Sequence, residues 1–286
     1  MTSKSFIIHG FADDHQIYKS FAPNKEHQVL CTDLPECFHD IEKWMSEHYL
    51  QLNPGKTEII IFGSKKVLSD LEINGVFLKP SVCIRTVNVA KNLGFHLDAS
   101  LRLDPQIKKL KATVCHKLRN ISKMKPFLCE KQLQIITQAL VMSSLDYCNG
   151  LYVGANQSIL KQLQSLQNRA GRIIKGLKRR QDIEPHLKNM HWLKVQERIE
   201  FKVILLTFKC IHGLAPKYLC DLIQYSPSCS RHVNLHCPVS TSSKAFSAAA
   251  PKLWNNLPQD IKQIVDVDIF KIKLKAHLFR KSYCIY

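Results

Sequence analysis

"DPQIKKLKATVCHKLRNISKMKP", residues 104–126, decides the architecture. Asp104 and Pro105 make a cap and first-turn pair. Proline suits the first turn because the N–H it lacks would be unpaired there anyway. Ile107, Leu110, Val114, Leu118 and Ile121 then recur every three or four positions, which gives one apolar stripe on a helix. Pro126 closes the pattern, since it can neither donate to nor fit inside a helical turn. Before this stretch, apart from one helix, the apolar residues come in short runs of strand type. After it they keep the helical period.

Upstream, "SFIIHGFADDHQIYKSF" (5–21) predicts strand, acidic turn and strand. A helix follows, with Asp33 as its expected N-cap and Leu34, Phe38, Ile41, Met45 and Leu52 on its apolar face. "NPGK" (53–56) reads as a turn and "TEIIIFG" (57–63) as a short buried strand. Asn74-Gly75 marks a hairpin, because a type I′ turn needs positive φ at both central positions. "VNVAKNLGFHLD" (87–98) reads as one more extended stretch.

Downstream, helices are expected over roughly 130–147, 158–178 and 195–212, Gly213 and Pro216 stopping the last. In the second of these Leu160, Leu163, Leu166, Ala170, Ile173 and Ile174 point inward. "KGLKRRQD" (175–182) is a basic connection and a candidate boundary. Residues 225–244 read as a loop and 245–258 as irregular packed chain around Trp254. Asp268 is the expected cap of a final helix with Phe270, Leu274 and Leu278 inward. The fold class is therefore α+β, mainly helical, a small antiparallel sheet leading into helical segments.

The chain of 286 residues carries 41 Lys and Arg against 23 Asp and Glu, a net charge of +18. That excess favours a polyanionic partner, nucleic acid first. The 11 cysteines are odd in number and lack a CxxC pair, which argues for reduced thiols in a cytoplasmic or nuclear setting. No apolar run approaches the ~18 residues of a membrane span.

The residues with chemical potential start at Asp13 and Asp14. Adjacent carboxylates at a tight turn can hold Mg²⁺, a hard cation that prefers oxygen ligands. On these residues alone, a solvated acidic turn and a metal-binding corner both stand. Their setting carries a resemblance. "FADDHQIYKSF" (11–21) resembles the catalytic core of reverse transcriptases of non-LTR retrotransposons, the jockey-like LINE elements. "CFHDIEKWMSEHYLQLNPGKTEIIIFG" (37–63) and "KNLGFHLDASL" (91–101) are similar to the next blocks of that family. "LRNISKMKPFL" (118–128), "SSLDYCNGLY" (143–152) and "LQNRAGRII" (166–174) resemble its thumb. The segments 191–219 and 246–258 resemble the tail beyond it, so the likeness runs through nearly the whole chain in the family's order.

The resemblance implies a partial palm over 1–100, a helical thumb over 101–180 and a helical C-terminal module over 181–286. It implies an RNA-directed DNA polymerase acting on an RNA and DNA template–primer duplex. Asp13 and Asp14 would be metal ligands, Lys56 would lie near the incoming nucleotide, and Leu93 and Gly94 would belong to the primer grip. Lys108, Lys109, Lys111, Lys117 and Arg119 would face the duplex, as unpaired cations that contact phosphate without reading sequence. The family's enzymes carry fingers and a further metal-binding Asp before the acidic turn. Only twelve residues precede Asp13 here, with no Asp or Glu among them. The expectation is thus a truncated polymerase, inactive alone, that uses Mg²⁺ only if the site is completed. Alternatives are a catalytically dead nucleic-acid-binding remnant and a repurposed protein-interaction fragment, with self-association through an uncovered palm surface.

Other constellations are weaker. Cys229, His232, His236 and Cys237 offer soft ligands, but adjacent His236 and Cys237 suit tetrahedral closure poorly. Cys148, Asp146 and His116 form no nucleophilic arrangement, and Trp44, Trp192 and Trp254 read as core anchors.

Overall fold

The computed structural model describes residues 6–70, 75–79, 82–225, 234–238, 242 and 244–283. The chain divides into two compact units, Met1–Gln106 and Ile107–Tyr286. It is α+β and mainly helical. The segments expected as thumb and C-terminal module both fall in the second unit, apart from residues up to Gln106.

Among the described residues the first unit holds three two-stranded antiparallel sheets. β1 (Ile7–Phe11) pairs with β2 (Asp14–Tyr18), as the sequence predicts. The short helix α1 (Glu26–Gln28), a π-helical turn (Val29–Asp33) and α2 (Leu34–Glu47) follow without a break. Asp33 is therefore not the cap. Its backbone is helical, its side chain makes no capping bond, and its carboxylate takes Lys19 Nζ at 2.6 Å. α2 buries Cys37 and Phe38, whereas Leu52 lies beyond its end and Trp44 is exposed, stacked on His48. The expected strand at 57–63 reduces to one parallel bridge, Ile59 to Thr86, and α3 (Lys65–Asp70) follows it. Asn74 lies outside the described residues. Gly75 opens β3 (Gly75–Lys79), which pairs with β4 (Val82–Arg85). The stretch expected to run extended over 87–98 is a hairpin, β5 (Val89–Asn92) and β6 (Phe95–Asp98).

Between β6 and α4 (Asp104–Met124) the chain turns through Leu101 (φ 51°) and Leu103 (φ 69°). Side chains other than glycine seldom take this conformation, because Cβ crowds the backbone. Asp98 holds it. Its carboxylate accepts Ser100 Oγ at 2.8 Å, Arg102 N at 2.9 Å and Leu103 N at 2.7 Å. Asp98 is 7% exposed. Burial works to raise its pKa, but the backbone bond from Arg102 and those from Ser100 and Leu103 outweigh it, and the net shift is downward.

α4 buries the whole predicted stripe, Ile107, Leu110, Val114, Leu118 and Ile121. The second unit continues with α5 (Glu130–Thr137), a π-helical turn (Gln138–Met142) and α6 (Ser143–Asp146), one helical run as expected. α7 (Gln157–Lys175) starts at Asn156, whose side chain accepts Ile159 N, and ends at Gly176 with φ 68°. Leu160 and Ile173 are half-buried rather than core. α8 (Glu184–Asn189) packs on α7 at Gly171, where an added Cβ would lie 3.1 Å from Leu187 Cδ2. α9 (Val195–Ile211) and α10 (Lys217–Cys220) follow.

The segment expected to be irregular is α11 (Phe246–Asn255), helical despite Pro251. Its Ala250 and Trp254 are buried in a cluster with Val203, Phe208 and Phe270, and this packing offsets the lost helical bond. α12 (Gln259–Lys262) leads to α13 (Val267–Ser282). Asp266, not Asp268, caps α13, accepting the N–H groups of Asp268 and Ile269. Phe270, Leu274 and Leu278 point inward as predicted.

Asp98→Ala is expected to lower the unfolding free energy by about 2–4 kcal/mol, since it strands buried N–H groups. Urea titration checks this. The depressed pKa means the native protein keeps this contribution at neutral pH. It loses it only as pH falls below the usual aspartate range and through the lower folded value. The gap in stability between native protein and Asp98→Ala should therefore close in strong acid.

Candidate nucleic-acid interface and acidic turn

The acidic turn is built by register. Phe11 pairs with Asp14, so Ala12 and Asp13 alone make the connection, and Ala12 takes φ 54°. Asp13 stands in the turn and Asp14 opens β2; both are exposed. His15 Nδ1 lies 3.2 Å from the Asp13 carbonyl, and Gly10 opposite leaves room for the imidazole, which a Cβ would approach to 3.3 Å. His9 Nε2 meets Tyr18 Oη at 3.0 Å.

Neither face of this hairpin is well covered: Ile7 and Ile8 lie on opposite sides, and both are exposed, as are Phe11 (66%) and Tyr18. It is tied down by Gln16 Nε2 donating to Asn92 Oδ1 at 2.8 Å and by the Lys19–Asp33 ion pair. Among the described residues no group of three or more His, Cys, Asp or Glu side chains is placed to hold a metal ion. Two neighbouring carboxylates leave most of the coordination of Mg²⁺ unfilled, so these residues do not fit a complete centre on their own.

Lys56 is exposed in the turn closed by its own N–H to the Asn53 carbonyl at 3.2 Å. Among the described residues, no hydrogen bond or ion pair joins it to Asp13 or Asp14. Leu93 (φ 45°) and Gly94 (φ 83°) are the two central residues of the β5–β6 turn, both left-handed as type I′ demands. Asp98 is engaged in its turn and is no candidate ligand. Cys229 and His232 lie outside the described residues, and Cys237 Sγ takes Asn255 Nδ2 at 3.8 Å.

The basic residues of α4 divide into two kinds. Lys108, Lys109, Lys111 and Arg119 are exposed. At 100° per residue Lys108, Lys109 and Arg119 lie opposite the buried stripe, and Lys111 lies at its margin. Lys117 lies on the side of the helix facing α6. It is half-buried and donates to the Leu140 carbonyl at 3.0 Å and Ser144 Oγ at 2.7 Å, so it serves packing first.

Two further side chains join the exposed face. Lys123 continues it one turn beyond Arg119. Arg169 on α7 reaches Cys115 Sγ at 3.5 Å and brings its charge beside that face. Lys123 was legible from helical spacing; Arg169 needed the tertiary contact. Asp104 is the only acid on α4, and it sits at the helix start, 3.6 Å from Arg102. Among the described residues none of Lys108, Lys109, Lys111, Arg119 and Lys123 is held in an ion pair. The arrangement is a row of open cations along a helix about 30 Å long, with the exposed His116 and Asn120 side chains between them.

Lys117→Ala is expected to lower the melting temperature by a few degrees, about 1 kcal/mol of lost hydrogen bonding. Lys108→Ala and Lys109→Ala should leave it unchanged; thermal unfolding followed by circular dichroism separates the two kinds.

Comparison with known proteins leaves the chain to its own geometry: no family model, curated protein or solved structure matches it.

Proposed function

We propose that this chain is part of an RNA-directed DNA polymerase of the non-LTR retrotransposon type, whose helical unit holds an RNA–DNA duplex along the exposed face of α4. The observation that carries the reading is the unneutralised row of Lys108, Lys109, Arg119 and Lys123, with Lys111 and Arg169 at its margins. The acidic turn supports the polymerase assignment through its sequence setting, with Asp13 and Asp14 as a partial donor set for Mg²⁺. With that set incomplete, the chain alone binds substrate and does not extend it. The nine described cysteines are all free thiols, and among the described residues no helix is long and apolar enough to cross a membrane. These features support work in the cytoplasm or nucleus.

Duplex binding is tested by fluorescence anisotropy against salt. The expected result is sequence-independent binding with a log–log slope of about −4, each neutralised phosphate contributing roughly −0.9. Lys108→Glu, Arg119→Glu and Lys123→Glu should each flatten the slope by about one. Absence of binding at low salt overturns the interface. In the same samples, primer extension with Mg²⁺ and deoxynucleotides should be nil; extension abolished by Asp13→Ala would show that the donor set is complete after all.

A second reading, protein association, is favoured by the hairpin's bare apolar side chains. Sedimentation should then show dimers or larger species that Ile8→Lys with Phe11→Lys disperses. A monomer at all concentrations would dispose of self-association.

A further inference from the structure

α13 has two apolar faces. The inner one carries Phe270, Leu274 and Leu278 against the cluster around Phe208 and Trp254. The outer one is formed by Ile269, Ile272 and Ala276, with Val265 just before the helix, while Phe279 one turn on packs back against the inner cluster. Within the helix, spacings of three and four run from Ile269 through Ile272 to Ala276, a short seam of the kind by which one helix packs along another. The packed second unit leaves this seam open: Val265 is 74% exposed and Ile272 69%.

The seam's margins are basic. Lys273 and Arg280 flank one side, one heptad apart, and Lys275 flanks the other. All three are exposed and, among the described residues, outside any ion pair. Asp268 is the only acid on the helix, and Lys271 already neutralises it at 2.8 Å. Lys281 is likewise taken, by Glu200 at 2.7 Å.

We infer that the outer seam of α13 docks an amphipathic helix of a partner protein whose flanking positions are acidic. A second copy of this chain fits poorly. Parallel pairing would set Lys275 against Arg280, antiparallel pairing would set Lys273 against Arg280, and both copies carry +18. A narrow stripe of two isoleucines and an alanine offers a base nothing to stack on, and it is small for a bilayer surface. Acidic flanks on a partner helix would satisfy the three free cations while its apolar side chains cover Ile269 and Ile272.

The test uses the full chain and a 21-residue helical probe peptide with Leu and Ile at the 4–3 positions and Glu at both flanks. A control peptide has the same charge and Ser in the seam. At about 0.15 M salt the probe should bind at least tenfold more tightly than the control, as burial of two isoleucines implies. Ile269→Asp with Ile272→Asp should erase the preference at an unchanged melting temperature. Ile135→Asp, an equally exposed change on α5, should keep it. Lys273→Glu with Arg280→Glu should shift preference to a Lys-flanked probe. Equal binding of probe and control overturns the proposal. So does a preference that survives the α13 variant. Binding to phosphatidylserine vesicles that depends on Ile269 and Ile272, without any peptide preference, would assign the seam to membrane instead.

Discussion

The carboxylate of Asp98 is the constraint on which the handover from sheet to helix depends. Two leucines in left-handed conformation cost about 1–2 kcal/mol each. Three hydrogen bonds to one ionised group offset this, at roughly 1.5–3 kcal/mol apiece. Leu103 is thereby turned inward and α4 begins at Asp104. Gln106 adds a second tie, its Oε1 accepting His96 N at 3.0 Å.

Within the helical unit, polar side chains do comparable work at the ends of helices, where backbone groups go unpaired. Gln167, fully buried, donates to the Leu193 carbonyl at 2.8 Å, and Gln164 accepts Val195 N at 2.8 Å, which fixes the entry of α9 against α7. Asp146 takes Arg198 through both Nε and Nη2. Asn149 beside it donates to the Arg198 carbonyl. Asn255 bonds both the N–H and the carbonyl of Leu235, much as a neighbouring strand would. These contacts give structural work to residues in the blocks "SSLDYCNGLY", "LQNRAGRII" and "LWNNLP".

The sequence made some parts of this legible and hid others for physical reasons. The stripe from Ile107 to Ile121 reads directly because one face is buried along the whole helix. Residues 246–255 mislead because Pro251 signals a break, while the packing of Trp254 overrides that local preference. Asp33 and Asp268 share the right residue type for caps, yet cap identity depends on backbone angles that composition does not contain. The turn at Leu93-Gly94 escaped because leucine seldom accepts positive φ. In the candidate interface the exposed cations of α4 follow from spacing, but the diversion of Lys117 to Leu140 and Ser144 required the neighbouring helix. The inward stripe of α13 was legible, but the exposed Ile269 and Ile272 on its other side were not, since composition alone does not say which apolar residues stay uncovered.

The bare β1–β2 hairpin has a consequence for how the molecule opens. A two-stranded ribbon with weakly covered faces is marginal by itself. Its ladder can fray while the helical cores stay closed, so its amides should exchange with solvent at a free energy well below that of global unfolding. Asp13 and Asp14 thus sit on a weakly braced part of the fold. Any outside strand or subunit that packed on Ile8 and Phe11 would rigidify the two carboxylates in the act of binding.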